Sequence, residues 1–389
     1  MDVLLLAPVN PFEIRDGHSM AVASDLRAVL DNGLSVGVIS FLYGSQQQSI
    51  HPENPGRCEA RFFPVRAGSF ALRFLRGLFA PVPPSSERLY SADSIAGVRT
   101  ALKAWKPGYV IVDDVSMAGY IPVVREMVPN ARVILRTHNV MQDVRGEHLA
   151  QTKGLLKLPV GLDFSRYAAF EKHAMESCDA HWAISPTDAV RMTELYGHPS
   201  ASLSVSVGHE RYTPIGIDEG AQTFFVHIGS LDFRRRRDLE SFLRNSWPKI
   251  RAAVPRAAAD FAGLLVGRQI DAPGVTYSGR ITDDVVAYRK GRFALNFQNT
   301  TGGIKLKTLT SLAAGRTLIS TSRGVEGLPL VAGEHYWDMG SFLSAHPLAD
   351  LIEDAESNKR IGHAGREWVL QNHSRPAIAA QLGRLLEAA

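Results

Sequence analysis

Cysteine is scarce in this 389-residue sequence, which has two, Cys58 and Cys178. They lie far apart and belong to no CxxC or Cys/His cluster. That excludes a disulfide framework and a cysteine-based zinc site, and it reads as two core thiols in a reducing, cytoplasmic compartment. Long apolar runs are also lacking: none approaches the roughly 18 to 20 residues that span a bilayer. Met1 to Val9 is apolar but has neither a basic flank nor a cleavage pattern, so it reads as a first buried strand. No strong charge of one sign is present either, since the formal net charge is +4. This mildly basic balance suits phosphorylated ligands or an anionic membrane surface and is too weak to indicate nucleic acid. No DxD element and no His/Asp cluster marks a metal site along the chain. What is present, 45% hydrophobic and 21% charged residues, is the composition of a soluble globular enzyme.

The length exceeds what one core usually organises, so two domains are expected. Strand-like runs at Val3 to Ala7, Ser35 to Phe41, Val110 to Val112, Arg132 to Arg136 and His181 to Ile184 alternate with helical patterns such as His18 to Asp31 and Ser165 to Ser177. The series restarts with Phe224 to Ile228, Asp260 to Val266, Val275 to Tyr277, Phe293 to Phe297 and Thr317 to Ser320. Alternation of this kind predicts parallel sheets covered by helices on both faces, here two doubly wound α/β domains facing across a cleft. Ser204 to Gly220, polar and rich in Gly and Pro, reads as the linker. The expected organisation is 1–207, 208–372, and a C-terminal helix over 373–389 that crosses back to the first domain.

The most informative stretch is residues 293–321, FALNFQNTTGGIKLKTLTSLAAGRTLIST. It reads as a βαβ crossover whose turn carries Thr300 and Thr301 as candidate N-caps and Gly302 and Gly303 for an unusual backbone path. Lys305 and Lys307 follow. Lysine at a helix N-terminus opposes the macrodipole, so two lysines without an acid nearby make sense if an external anion such as phosphate completes the site. Two residues apart on a helix, they cannot face one ligand together, and Lys305, nearer the turn, is the expected contact. Residues 61–84, RFFPVRAGSFALRFLRGLFAPVPP, mix Phe and Leu with Arg61, Arg66, Arg73 and Arg76 and contain no acid. They read either as a basic amphipathic segment for a membrane interface or as a helix packed on its domain with arginines in water.

Together, the two doubly wound domains, the phosphate-like turn and the words GGIKLKTLTSLAAGRTLISTSRGVEGLPLVAGEHYW resemble the retaining glycosyltransferases of family 4, which have the GT-B fold. HIGSLDF with DLESFLRNSWPKIRAAVP, GVTYSGRITDDVVAYRKGRFALNF, AISPTDA and RTHNV resemble further segments of that family, of the kind that assembles bacterial surface polysaccharides. The resemblance implies a first domain that binds the acceptor and a second that binds a nucleotide sugar. It places Gly17, in a glycine loop over Arg15 to Ser19, near the donor diphosphate and His138 at the donor sugar. It also implies donor contacts from Arg280, Gly302, Gly303, Ile304 and Lys305, and acceptor or polar contacts from His18, Asp114 and Glu326.

Departures from the family pattern matter as much. Gly302 and Thr310 occupy the two glutamate positions of the E-x7-E motif, so ribose recognition is altered and a deoxyribose donor stays open. Ser230 stands where an arginine is usual. Arg234 to Arg237 follow, with Arg236 at the spacing of the family's diphosphate lysine, and Arg234 is a further candidate. The implied activity is transfer of a glycosyl group from a nucleotide diphosphate sugar to a glycan or lipid-linked acceptor hydroxyl, with retention and without a metal or other cofactor. The expected location is the cytoplasm, with peripheral contact to the inner face of the membrane through residues 61–84. A non-hydrolysing nucleotide-sugar epimerase and a catalytically inactive binding subunit are the alternatives. Nucleic acid is not an expected partner.

Overall fold

The computed structural model describes residues 1–44, 56–66, 70–212, 224–231, 233–300 and 302–389. The chain divides into two compact units, one of residues 1–206 and 375–389, the other of residues 207–374.

In the first unit the described strands are β1 (Val3–Ala7), β2 (Val36–Leu42), β3 (Cys58–Pro64), β4 (Tyr109–Asp113), β5 (Arg132–Thr137), β6 (Ala180–Ala183) and β7 (Ala201–Ser202). They form one parallel sheet in the order β3-β2-β1-β4-β5-β6-β7. Helices α1 (Gly17–Asp31), α2 (Phe70–Phe79), α3 (Ala92–Trp105), α4 (Ile121–Met127), α5 (Met141–Gln151), α6 (Lys157–Ser177) and α7 (Pro186–Tyr196) intervene. A sheet covered on both faces buries every position of its central strands, which is why β1 reads as an unbroken apolar run with all five residues buried. Each aliphatic side chain so buried stabilises the fold by about 1.5–3 kcal/mol. Trp105, at the end of α3, lies so close to β2 that a Cβ on Gly37 would come within 2.4 Å of its ring. The last helix, α15 (Arg375–Ala388), belongs to this unit. Arg375 pairs with Asp31 through two hydrogen bonds of 2.5 and 2.8 Å, and Asn32 donates to the Ala379 carbonyl, so α15 is tied to the end of α1.

The second unit repeats the principle. Its described strands are β8 (Phe224–Ile228), β9 (Ala258–Ala262), β10 (Val275–Gly279), β11 (Phe293–Asn296), β12 (Thr317–Ser320) and β13 (Trp337–Asp338), parallel and in the order β10-β9-β8-β11-β12-β13. Helices α8 (Phe233–Asn245), α9 (Trp247–Ala253), α10 (Asp284–Arg289), α11 (Leu306–Ala313), α12 (Met339–Leu343), α13 (Leu348–Glu353) and α14 (Ala355–His373) cover it. Stacked aromatics fill one side of the core, with Phe225 on Phe293 and Phe242 on Phe297.

Three expectations need correction. Residues 61–84 do not interrupt the first domain as one segment, because Arg61 to Pro64 complete β3. Phe63 packs against Phe41, Arg61 lies 5.2 Å from the Trp105 ring and Arg66 pairs with the buried Glu87 at 3.0 Å. These groups are committed inside the unit; the side chain of Arg73 lies outside the described residues, and Arg76 is exposed. The stretch read as a linker is anchored at its start. Ser206 donates its amide to Ser24, and the Tyr212 hydroxyl bonds to Asp284 of its own unit; residues 213–220 lie outside the described residues. Arg234 to Arg237 are the first turn of α8 and not a loop.

Beneath the carboxyl end of β5, Arg136 donates its Nε to Asp25 of α1 at 2.8 Å, with the two side chains 0% and 1% exposed. Burial pushes the Asp25 carboxyl up despite this guanidinium. Removing one partner leaves an uncompensated buried charge, so Arg136→Met should cost about 3–5 kcal/mol. Urea denaturation should show that loss, with Asp25→Leu in the same chain recovering most of it. A loss below about 1 kcal/mol would mean that the pair is solvated in solution.

Candidate functional site

Ligands of open parallel sheets gather at the carboxyl ends of strands where strand order reverses. In the first unit that point lies between β1 and β4, because β2 and β3 continue to one side and β5 to β7 to the other. The chain leaves β1, runs through residues 8–16 and enters α1 through a capping box in which Asp16 and Ser19 satisfy each other's amides. His18 is thereby held over the end of β4. Its Nε2 lies 3.1 Å from Asp113 Oδ2, while His138, following β5, places its Nε2 2.6 Å from Asp113 Oδ1. The two imidazole centroids are 4.7 Å apart.

Asp113 is completely buried. Burial disfavours its charge, yet His138 and His18 outweigh it and hold the carboxyl well below the usual range. For His18 burial again works against the charged form, but Asp113, Asp114 and Asp16 push it up to about 9. An ionised carboxylate only accepts hydrogen bonds, so both Nε2 atoms must carry protons. The tautomer of a neutral His138 follows: its Nδ1 is the lone-pair atom, and that atom is buried with no partner among the described residues. A buried imidazole nitrogen without a partner is costly unless something polar meets it. Asp114, next in the chain, has φ +70°, a conformation that costs a non-glycine residue of order 1–3 kcal/mol and that collects at functional sites.

No sequence signal announced this His–Asp–His cluster, since its members come from the first turn of α1, the last residue of β4 and the residue after β5; their ligand-type atoms lie within 4.8 Å of one another. A tetrahedral zinc with about 2.1 Å bonds would set its ligand atoms about 3.4 Å apart. The 2.6 Å and 3.1 Å separations around Asp113 are those of hydrogen bonds.

In the second unit the order reverses between β8 and β11. The turn after β11 passes through Gly302 at φ +95° and Gly303 at φ +60°, the unusual path expected there. It differs from expectation in three ways. Helix α11 begins at Leu306 with Lys305 in the N-cap position and no side-chain cap, so Thr300 is not the cap, and Thr301 lies outside the described residues. Buried Lys305 spends its ammonium on the Gly302 and Gly303 carbonyls, at 2.5 and 3.1 Å. It shapes the turn. Lys307, taken from sequence as the lesser partner, reaches across to β8. Its Nζ lies 3.5 Å from His227 Nε2, and a Cβ on Gly229 would sit 3.0 Å from it.

His227 is buried and bonds through Nδ1 to the Leu295 carbonyl at 2.8 Å. Burial, then Lys307, then Arg235 keep its imidazole neutral. Two cations thus lie near the end of β8: Lys307 beside His227, and Arg235, whose guanidinium donates to the Ser230 carbonyl at 3.4 Å. Arg236 is instead a strut between α8 and the loop after β9, donating to Glu240 and to the Val266 and Arg268 carbonyls at 3.0, 3.0 and 2.7 Å. The side chain of Arg234 lies outside the described residues.

The remaining predicted residues are dispersed. Gly17 is the first residue of α1, and Ser230 is exposed just after β8. Arg280 is exposed after the edge strand β10, two strands from β8. Ile304 is buried beneath the turn. Thr310 is buried against Tyr288, 2.9 Å from its hydroxyl, and donates to the Lys307 carbonyl, so its oxygen is committed to the interior. Glu326, in the loop after β12, pairs with Arg323 through Oε1 and keeps Oε2 buried with no partner among the described residues.

No family model matches the sequence, and no curated protein does. Solved structures do match, along the whole chain. HepE of Anabaena in complex with UDP-glucose aligns with a TM-score of 0.68 and 11% identity over 100% of both chains. A variant of S. aureus TarM in complex with fondaparinux, α-GlcNAc-glycerol and UDP aligns with a TM-score of 0.65 and 8% identity over 99% of each chain. An α-glucosyltransferase in complex with UDP and a 13-mer DNA aligns at 0.60, with 10% identity over 99% of each. Identities this low establish the fold, and the fold is GT-B.

The charge on His18 has a measurable consequence. Its folded value near 9 lies above the 6.5 of an ordinary imidazole. Its contribution to stability is therefore fully present below pH 6.5 and is lost as pH rises through about 9. In urea denaturation, His18→Gln should destabilise the protein most at acid pH, with the gap to the parent closing above pH 9. A gap independent of pH would show that His18 is neutral in the folded protein.

Proposed function

We propose that the chain is a retaining glycosyltransferase that moves a sugar from a nucleotide diphosphate sugar, with uracil as its base, to the hydroxyl of a glycan or lipid-linked acceptor. The observation that carries this reading is that Lys307, in the helix after the Gly302–Gly303 turn, and Arg235 both reach the end of β8. When the nucleoside diphosphate departs, negative charge grows on its β-phosphate. The two cations and the turn's backbone amides answer that charge from fixed positions, with no resident metal required. Neighbours of the same fold hold UDP and UDP-glucose, which supports uracil as the base. Retention rests on the family resemblance. With Thr310 committed to Tyr288, ribose selection falls to other groups, and a deoxyribose donor remains open.

In the first unit, His138 is the group for the sugar. With its Nε2 proton held by Asp113, its Nδ1 can accept a sugar hydroxyl while protonated His18 keeps Asp113 ionised. Such an enzyme works in the cytoplasm, meeting a lipid-linked acceptor at the inner membrane face. An epimerase would change the donor without an acceptor, and an inactive subunit would bind it unchanged. Product analysis with and without acceptor separates all three.

Calorimetric titration with UDP tests the donor site. Lys307→Ala and Arg235→Ala should each remove a charge-assisted contact, weakening binding by about 1.5–3 kcal/mol. Unchanged affinity in both variants would sink the assignment.

His138→Ala should behave differently. Its turnover should fall about 10- to 100-fold while UDP affinity stays at the parent value, because the histidine is assigned to the sugar and not to the nucleotide. Equal loss in both quantities, or in neither, would remove His138 from the reacting centre.

A further inference from the structure

A cavity of about 350 Å³ opens in the first unit between the end of α2, the loop that follows it, and the facing sides of α5 and α6. Phe74, Pro84, Pro159, Val160 and Phe164 make its walls apolar. Its polar lining is unlike that of an ordinary packing defect, because Arg88, Arg145 and His148 enter it against one acid, Asp163. Arg145 pairs with Asp163 at 2.7 Å, which leaves a net positive charge from Arg88. Both arginines rest on aromatic rings: Arg145 lies 3.6 Å from the Tyr167 centroid and Arg88 4.9 Å from that of Tyr43. Burial raises the pKa of both tyrosines, and the charge of Asp114 adds to each.

The surface around the cavity is apolar and basic. Phe79 of α2 and Leu155 are each 90% exposed, and Leu75, Leu156, Leu158 and Leu162 are exposed as well. Arg166 of α6 donates to the Ala80 carbonyl at 2.6 Å, which holds the two helices side by side. Arg76, Lys153 and Lys157 are exposed among these leucines, and neither 70–84 nor 152–162 contains an acid. Exposed apolar surface of this extent marks a contact, and its exclusively basic flank fits an anionic lipid surface.

We propose that this cavity is an acceptor site that takes the apolar chain of a lipid bearing a phosphate or diphosphate head. The head lies on Arg88 and Arg145, whose planar guanidinium groups match phosphate oxygens. The exposed leucines of 155–162 and the end of α2 rest in the membrane from which the lipid is drawn. This deepens the glycosyltransferase reading and rests on it for the word acceptor. It also narrows the membrane contact expected of residues 61–84, since Arg61 and Arg66 are engaged within the unit and Leu155 to Leu162 join instead.

The test is titration of the full-length protein with dodecyl phosphate below its micellar concentration, beside inorganic phosphate and dodecanol. Saturable binding is expected for dodecyl phosphate. Arg88→Glu and Val160→Asp should each weaken it about tenfold or more, through the head and the chain respectively. UDP affinity should stay unchanged in both variants, which also reports that they are folded. In flotation assays, Leu155→Asp and Leu158→Asp should abolish binding to phosphatidylglycerol vesicles, while phosphatidylcholine vesicles bind neither these variants nor the parent. The proposal is overturned if dodecyl phosphate does not bind, if inorganic phosphate binds equally well, or if both cavity variants keep the parent affinity. Lipid binding without UDP binding would instead overturn the donor reading and leave the cavity assignment standing.

Discussion

Parallel strand pairing is the constraint on which the rest depends. Strands running the same way cannot be joined by tight turns, so each connection crosses over the sheet, almost always right-handed, and usually carries a helix. All the strands of a sheet then end on the same side, and the chain emerges there in loops with few backbone obligations. In each unit the crossovers part at one place, β1/β4 in the first and β8/β11 in the second. Loops that diverge leave room, and both groups of candidate residues lie at those two places.

What these loops hold is charge removed from water. Among the described residues the buried Asp113 is bonded to two histidines and to no cation of fixed charge, and His18 stays protonated up to about 9. Arg136 and Asp25 lie a strand away, also buried and bonded through a single contact of 2.8 Å. Arrangements of this kind contribute little net stability, because desolvation offsets the Coulomb attraction. Their value lies in orientation. With Asp113 ionised and bonded to both Nε2 atoms, the two imidazole rings are held in fixed orientation, the kind of preorganisation that lowers the cost of reaction. In the second unit the economy is different. Lys305 gives its charge to the turn's own carbonyls, which keeps two left-handed glycines in place.

The two lysines show where reading the chain stops being sufficient. Their spacing, read as helical, implied that one ligand could not be faced by both. Nearness to the turn then favoured Lys305, and that inference lacked the start of α11. Because the helix begins at Leu306, Lys305 falls outside it and folds back on the loop, while Lys307 in the first turn projects toward β8. The same difficulty affected the arginines. Arg236 matched a family spacing, but the turn of α8 points it toward the loop after β9 and sets Arg235 against the Ser230 carbonyl. Sequence distance along a helix decides direction only once the register of its first turn is known.

From the sequence alone came the number of units, the parallel sheets, the core strands and the glycine turn, because these rest on patterns that repeat within a few residues. β1, β8 and β12 have the bounds expected of them, since buried central strands are continuous apolar runs. β3 was hidden, its alternation obscured by arginines and phenylalanines that read equally well as an amphipathic surface segment. His138 was legible only through resemblance, and its partners Asp113 and His18 not as a group, since the three stand 25 and 95 residues apart from Asp113. The apolar cavity between α2, α5 and α6 has no local signature at all. Tertiary structure decided these features because they depend on which loops and faces meet after crossing over a sheet, and no local preference along the chain encodes that meeting.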